Sequence, residues 1–185
     1  MRHRRLLTGL PLIAALLASC DTTTGLLPAT IENVVDTISL YALDGTPITA
    51  PSGYVIQSKS VVRTDQSTFF DFVFNITPAG QPVLLPTGAV GLGVASGIQV
   101  QSAPFDAVTS APTSAYVDSL PVPIDSGSVV IARSRPVTSC IVGVVYFYGK
   151  FEVIALDTIA RRVDLRVLVD QNCGYRGLET GLPRR

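Results

Sequence analysis

The sequence predicts an all-β fold, an antiparallel β-sandwich, with a small β-barrel as the alternative. Apolar residues recur with period two from Ile31 onward, as they do in strands that bury one face. Short groups of Gly, Pro, Asp and Ser separate these segments and carry turn chemistry. A parallel sheet would need crossover helices, and no long helical period occurs, so an antiparallel arrangement is favoured.

Two segments alternate most regularly, 70–76 and 162–170. In the first, the spacing places Phe70, Phe72 and Phe74 on one face of a strand. In the second, Val and Leu alternate with Arg and Asp, which predicts one buried and one solvated face. Further segments rich in β-branched and aromatic residues are weaker strand candidates: 34–43, 54–63, 97–101, 128–134 and 141–156.

Residues 102–126 break this pattern, because they are rich in Ser, Ala, Pro and Thr and poor in charge. A stretch of about 25 residues without regular structure is uncommon inside a compact domain, and is usually either a functional loop or disordered. The sequence leaves both possibilities open.

The N-terminus combines a basic start with an apolar run. Residues 1–5 contain three arginines and His3, and the uncharged run 6–19 that follows contains Pro11. The run is shorter than the ~20 apolar residues that a membrane-spanning helix needs. A short buried helix and an export signal both fit this pattern.

Leu17-Ala18-Ser19-Cys20 decides between them, because it resembles the lipobox of bacterial lipoproteins. The resemblance implies cleavage after Ser19, a diacylglyceryl thioether on Cys20 and a new amino group that can be acylated, for example with palmitate. Two or three acyl chains anchor a protein stably. We therefore expect a protein that is lipid-anchored to a cell membrane and exposed to the periplasm or the cell exterior. Asp21 resembles the inner-membrane retention signal of some Gram-negative bacteria, which leaves inner and outer membrane open.

The chain is thus expected to have four parts. These are a signal peptide (1–19), the lipidated Cys20 with a flexible tether (20–30), a single β domain (31–180) and a frayed C-terminal tail (181–185). Ten tether residues reach at most ~35 Å when extended, so the domain is expected to stand off the bilayer.

Loss of the signal removes the chain's single histidine, His3. No imidazole then remains for a Ser-His-Asp triad, a Cys-His pair or a histidine zinc site. Neither Lys59 nor Lys150 fits a Ser-x-x-Lys motif, and Lys59 is expected on the solvated face of a strand. The glycine-rich stretch 91–97 leads into a strand pattern, which does not suit a dinucleotide site. We predict no catalytic residues, no metal, no cofactor and no enzyme activity, although sequence cannot measure the separation of a glycosidase carboxylate pair.

Charge argues against a nucleic-acid partner. The chain holds 14 basic and 14 acidic residues, and the signal takes three of its arginines with it. The mature chain is therefore slightly acidic, and no basic face for phosphate binding is expected.

Cys140 and Cys173 are the remaining cysteines, and an exported location permits a disulfide between them. A plain hairpin that turns near Ile159 would place Cys173 opposite about Val145, so pairing needs the chain to bend. Gly143 and Gly149 could supply bulges for this bend. The alternative is a pair of buried thiols.

The function expected from these observations is a non-catalytic envelope structural or protein-interaction module, with membrane lipid and an envelope protein as its partners. The alternative is a lipoprotein that binds a sugar or a small apolar ligand under the 102–126 segment. The chain has no Trp, which weakens the sugar version.

Overall fold

The computed structural model describes residues 26–141 and 143–184. Within these ranges ten strands form two five-stranded antiparallel sheets that pack face to face and are not closed into a barrel. The first sheet has the order β1-β10-β9-β8-β6 and the second β3-β2-β4-β5-β7. The sandwich prediction is confirmed. The strands are β1 (Val35–Tyr41), β2 (Gly53–Val55), β3 (Ser60–Val62), β4 (Phe72–Ile76), β5 (Pro82–Pro86), β6 (Gly97–Gln101), β7 (Val122–Pro123), β8 (Val129–Arg133), β9 (Tyr148–Asp157) and β10 (Arg162–Asp170).

The main core lies between the two sheets. Phe72 on β4 meets Phe151 on β9 edge to face, with ring centroids 5.0 Å apart, and Tyr54 on β2 packs on both. Such aromatic pairs stabilise a core by ~0.5–1.5 kcal/mol beyond the area they bury. The alternating Phe72 and Phe74 do share this inner face, as the sequence predicts.

Phe70 departs from that prediction. It precedes β4 and packs on the outer face of the second sheet with Val73 and Val83. The cause is a contact distant in sequence, because the carboxylate of Asp71 accepts the backbone N–H of Ile56 at 2.7 Å. The chain at Asp71 is therefore not part of the regular pleat, and the period-two alternation begins only at Phe72.

The strand β10 agrees with its predicted bounds, and its alternate residues Val163 to Val169 face the core. Its partner β9 begins only at Tyr148, so the run 141–156 is a strand in its second half alone. A bulge occurs where Ala155 pairs with Asp164 but Val153 pairs with Leu165, which leaves Ile154 as the extra residue. Neither Gly143 nor Gly149 is the bulge.

The other strand predictions had different outcomes. Three segments contain one strand each, one segment divides into two strands, and two observed strands had not been predicted. Strands β1, β6 and β8 fall inside their predicted segments, and the glycine-rich 91–97 leads into β6. The segment 54–63 divides into β2 and β3, and Lys59 lies in the turn between them with φ of 51°. Lys59 is therefore a turn residue, and its predicted strand-face position is wrong. The sequence pattern did not indicate β5 or β7.

The predicted signal peptide (1–19) and the predicted lipidation site, Cys20, lie outside the described residues. The part of the chain that the structure describes contains no helix with the length and apolar character needed to cross a bilayer.

Candidate functional site

The predicted site residues Cys140 and Cys173 meet at one end of the sandwich, where β10 finishes. Their Cα atoms are 5.7 Å apart and the sulfurs are at bonding distance, so the predicted disulfide is confirmed. We call this region the disulfide end, and define it by residues 26–34, 134–147 and 170–184. It brings together both ends of the described chain.

A short secondary hairpin provides the bend that the pairing requires. The β9–β10 register ends with Asp170 opposite Tyr148, which continues to place Cys173 near Val145. Val137 pairs with Val145, so residues between β8 and β9 double back and carry Cys140 to the strand end. Gly143 closes the turn with φ of 95°, a conformation that favours glycine.

Gly149 has a different role from the one predicted. It pairs in register with Val169 in β10. A Cβ atom at this position would lie 2.9 Å from Cε2 of Phe151. Gly149 therefore leaves room for the central aromatic ring of the core.

Asn172 fastens the N-terminal segment to the disulfide end. Its Oδ1 accepts the backbone N–H groups of Thr30 and Ile31 at 2.9 and 3.0 Å, and its Nδ2 donates to the Ile31 carbonyl at 2.8 Å. The hydroxyl of Tyr175 donates to the carbonyl of Leu27 at 3.0 Å. These bonds correct the predicted tether, because the chain is held against the domain from Leu27 and not from residue 31.

The C-terminal tail is also held further than predicted. Gly181 and Asn33 exchange two backbone hydrogen bonds of 2.8 and 2.9 Å. The side chain of Asn33 donates to the carbonyls of Gly177 and Glu179. A frayed tail beginning at residue 181 is therefore wrong for Gly181, because paired backbone groups fix it.

Asp170 is a fully buried carboxyl group beneath this junction. Its Oδ1 accepts the backbone and side-chain N–H groups of Asn172 at 2.9 and 2.8 Å. Burial raises the pKa of Asp170, although the bonds from Asn172, the charge of Lys59 and the backbone N–H of Gly177 oppose the rise.

Replacing Asp170 with asparagine is expected to change how stability depends on pH. Because the folded-state pKa is raised above 3.8, the folded chain binds this proton more tightly than the unfolded chain. The contribution of Asp170 to stability is therefore complete below that value and is lost as the pH rises through the folded pKa. Urea unfolding at a series of pH values measures it. The unfolding free energy of the wild type minus that of Asp170→Asn should fall as the pH rises from about 4.

Asp65→Asn is the matched control, because the opposite sign is expected there. A hydrogen bond from Arg63 lowers the pKa of the exposed Asp65, so the same difference should rise as the pH approaches 3.8 from below. A rise with pH at Asp170 as well would contradict burial as the dominant cause of its shift.

Asp71 is a second buried carboxyl group, and it joins the two sheets near the start of the secondary hairpin. Its Oδ2 accepts from the Ile56 N–H and its Oδ1 from the Arg135 N–H, both at 2.7 Å. The guanidinium of Arg135 donates to the Phe70 carbonyl at 2.8 Å and lies 4.5 Å from the centroid of the Phe69 ring. Burial raises the pKa of Asp71, and the two backbone bonds oppose the rise.

Two surface depressions flank Tyr175. One of about 370 Å³ is bordered by Leu27, Pro28, Ile31 and Cys173 among others. The other, of about 410 Å³, is bordered by parts of several segments: Leu26, Thr109, Ser110, Gly174, Tyr175, Arg176, Gly177, Glu179 and Arg184. Both are open to solvent and both belong to the disulfide end.

Residues 102–126 are described throughout. Their first part packs on the outer face of the first sheet, whereas Val122 and Ile124 lie in the main core and β7 pairs with β5 in the second sheet. Phe105, Val108 and Ala111 fill the space above Ile131 and Leu168. The segment contains a short 3-10 helix, Phe105–Ala107, and the two-residue strand β7. The segment is therefore packed into the domain, and of its residues Thr109 and Ser110 border the larger depression.

The side chain of Lys150, on β9, binds the backbone of the 102–126 segment. Its Nζ is buried and donates to the carbonyls of Phe105 and Val108 at 2.8 and 2.9 Å, and it lies 4.4 Å from the centroid of the Phe105 ring. Burial lowers the pKa of this ammonium, and the nearby Asp106 carboxylate opposes the shift. The two hydrogen bonds and the ring contact explain why the charged Lys150 side chain can be buried.

No protein-family model, curated protein or solved structure matches this chain. Function must therefore be argued from its own residues. Within the described residues no group of three or more His, Cys, Asp or Glu side chains is placed to hold a metal ion. The two buried carboxyl groups lie in different places and each already accepts hydrogen bonds from its neighbours.

Sequence reasoning missed Asp71, Asn172, Lys150 and Asp170 as buried polar residues. The run Asp170-Gln171-Asn172 does carry a signal, because Asp and Asn at the end of a strand commonly bond to the backbone two residues on. Nothing comparable marks Asp71 or Lys150, since their partners lie 15 or more residues away in sequence.

Proposed function

We propose that this chain is an exported lipoprotein, held on a membrane through acyl chains on Cys20, whose domain is a non-catalytic structural or protein-interaction module of the cell envelope. The Cys140–Cys173 disulfide is the observation that carries the export half of the proposal. Such bonds persist in oxidising compartments and are rare in the cytosol of most organisms. The lipobox-like sequence before Cys20 supplies the anchoring half.

The contacts of the polar side chains support the proposal that the module is non-catalytic. Lys150 is committed to two carbonyls, and Asp71 to two backbone N–H groups. A general base or nucleophile must be free to reach a substrate, and these groups are enclosed by their own chain. The single histidine lies in the sequence ahead of the proposed cleavage site.

Metabolic labelling with palmitate in a bacterial host tests the anchoring. The wild type should incorporate label, partition into the detergent phase and give an N-terminal peptide carrying diacylglycerol on Cys20. The variant Cys20→Ser should lose the label and keep its signal peptide. The variant with Cys140 and Cys173 both replaced by alanine is the control, and should keep the lipid. Equal labelling of Cys20→Ser and wild type would refute the proposal.

The module role is tested by chemical crosslinking on intact cells. A structural or interaction module should yield the same crosslinked envelope protein from wild type and from a variant that alters only a solvent-facing side chain, such as Ile159→Ser. Failure to recover any specific partner under several conditions would count against this role. Separation of inner and outer membranes in the same experiment assigns the location that Asp21 leaves open.

The alternative function, binding of a sugar or a small apolar ligand, stays a prediction. Fewer observations support it than support the module. The segment 102–126 packs into the domain, and the depression that Thr109 and Ser110 border is open to solvent. A bound sugar or small apolar molecule that co-purifies with the protein and is lost on enlarging Ser110 would favour this alternative over the module.

A further inference from the structure

Large apolar side chains are exposed at the disulfide end. Ile141 and Val144, at the tip of the secondary hairpin, are 88% and 64% exposed, and Leu27 on the fastened N-terminal segment is 60% exposed. The loops 68–71 and 87–96 reach the same end, because Arg135 bonds to Phe70 and Ser96 bonds to Asp71. They add the exposed side chains of Phe69 and Val94.

Together these side chains form an apolar patch at one end of the sandwich. A cluster of exposed apolar side chains marks an interaction surface. The opposite end lies about 26 Å away along β10 and exposes Ile159, in the β9–β10 turn, and Ile48. Among the described residues, the opposite end therefore exposes fewer large apolar side chains than the disulfide end.

The two ends of the sandwich also differ in the balance of their acidic and basic side chains. At the opposite end the turns between strands carry more acidic than basic side chains: Asp44, Asp65, Asp125 and Asp157 against Arg63 and Arg161. Around the disulfide end basic and exposed acidic side chains are equal in number: Lys59, Arg135, Arg176 and Arg184 beside Glu32, Asp36, Asp118 and Glu179. An anionic bilayer surface favours the second end over the first.

The number of residues between Cys20 and the folded domain limits what can occupy this surface. Bonds to Asn172 and Tyr175 hold the chain to the domain from Leu27, so only the six residues 21–26 separate Cys20 from Leu27. Six extended residues span at most ~21 Å. If the acyl chains of Cys20 lie in a membrane, the disulfide end cannot move further from the bilayer than this.

We propose that the disulfide end of the domain rests directly on the lipid bilayer, with the side chains of Ile141 and Val144 inserted at the boundary between headgroups and acyl chains. This inference rests on the proposed lipid anchor at Cys20. It replaces the expectation of a domain that stands off the membrane on a flexible tether. Apolar side chains of surface-bound proteins penetrate ~5–10 Å into this boundary, and Ile141 and Val144 project from a tip that the disulfide fixes.

Tryptophan fluorescence provides the test, because the chain has no Trp of its own. The mature lipidated variants Ile141→Trp and Ile159→Trp are reconstituted in vesicles of phosphatidylethanolamine, phosphatidylglycerol and a phosphatidylcholine brominated near the headgroup end of its acyl chains. The two positions are matched, since Ile159 is 96% exposed and lies at the other end. Emission from position 141 should shift to shorter wavelength and be quenched by the brominated lipid. Emission from position 159 should be unchanged.

The outcomes separate this inference from the lipid anchor. Protein that does not float with the vesicles would refute the anchor itself. Protein that floats but shows no quenching at position 141 would overturn the inference, and so would equal quenching at both positions. Val144→Trp is a second reporter for the same tip, and urea unfolding of each variant verifies that the fold is intact.

Discussion

Replacing Cys140 and Cys173 together with alanine is expected to lower the free energy of unfolding by about 4 kcal/mol. The bond closes a loop with a sequence separation of 33 residues, and its loss returns that conformational freedom to the unfolded chain. This is a large share of the ~5–15 kcal/mol that stabilises an ordinary domain. Urea unfolding of the double variant and the wild type measures the difference.

Reductant gives the internal control. The wild type in reductant should lose about as much stability as the double variant, and the double variant should not respond to reductant. Complete alkylation of both thiols in native protein prepared without reductant would contradict the bridge.

Replacing Asp71 with alanine is expected to lower the free energy of unfolding by about 3 kcal/mol. The variant leaves the N–H groups of Ile56 and Arg135 without their acceptor in a buried place, and each such loss costs ~1–3 kcal/mol. Part of this cost is offset, because burial already disfavours the ionised carboxyl group. Urea unfolding at neutral pH measures the change.

Asp65→Ala is the matched control for this experiment. Asp65 is an exposed carboxylate that pairs with Arg63, so its removal should leave stability nearly unchanged. A loss at Asp71 no larger than the loss at Asp65 would mean that the Asp71 carboxylate does not join the two sheets.

The alternation of β4 and β10 could be predicted because each strand buries one face against the core between the sheets. Strand β5 could not be predicted in this way. Its residues Pro82–Pro86 are buried on both faces, so the apolar run has no period, and its flanking prolines resemble a turn. Phe70 could not be placed correctly for a different reason. A long-range hydrogen bond from the Ile56 N–H to Asp71 ends the regular strand there, although the alternation in the sequence continues through Phe70.

Some features of the candidate site could likewise be predicted from the sequence, and others could not. The cysteine pair could be predicted because an exported chain with two remaining cysteines allows one intramolecular pairing. The way in which Cys140 reaches Cys173 could not, since it depends on the secondary hairpin paired at Val137 and Val145. The role of Asn172 depends on residues 141 and 142 positions away, which no local pattern encodes.

The fastening of the N-terminal segment also has a mechanical consequence. If the chain is anchored at Cys20 as proposed, a pull from the membrane enters the fold through residues 26–34 and continues directly into β1. Because β1 pairs with β10 antiparallel from Val35 to Tyr41, tension along β1 loads these hydrogen bonds in shear, so that they share the force and do not open one after another. The Asn172 side chain and the Cys140–Cys173 bridge stand at the point where the load arrives. Tension from the proposed anchor would therefore act first on these contacts and on the β1–β10 hydrogen bonds.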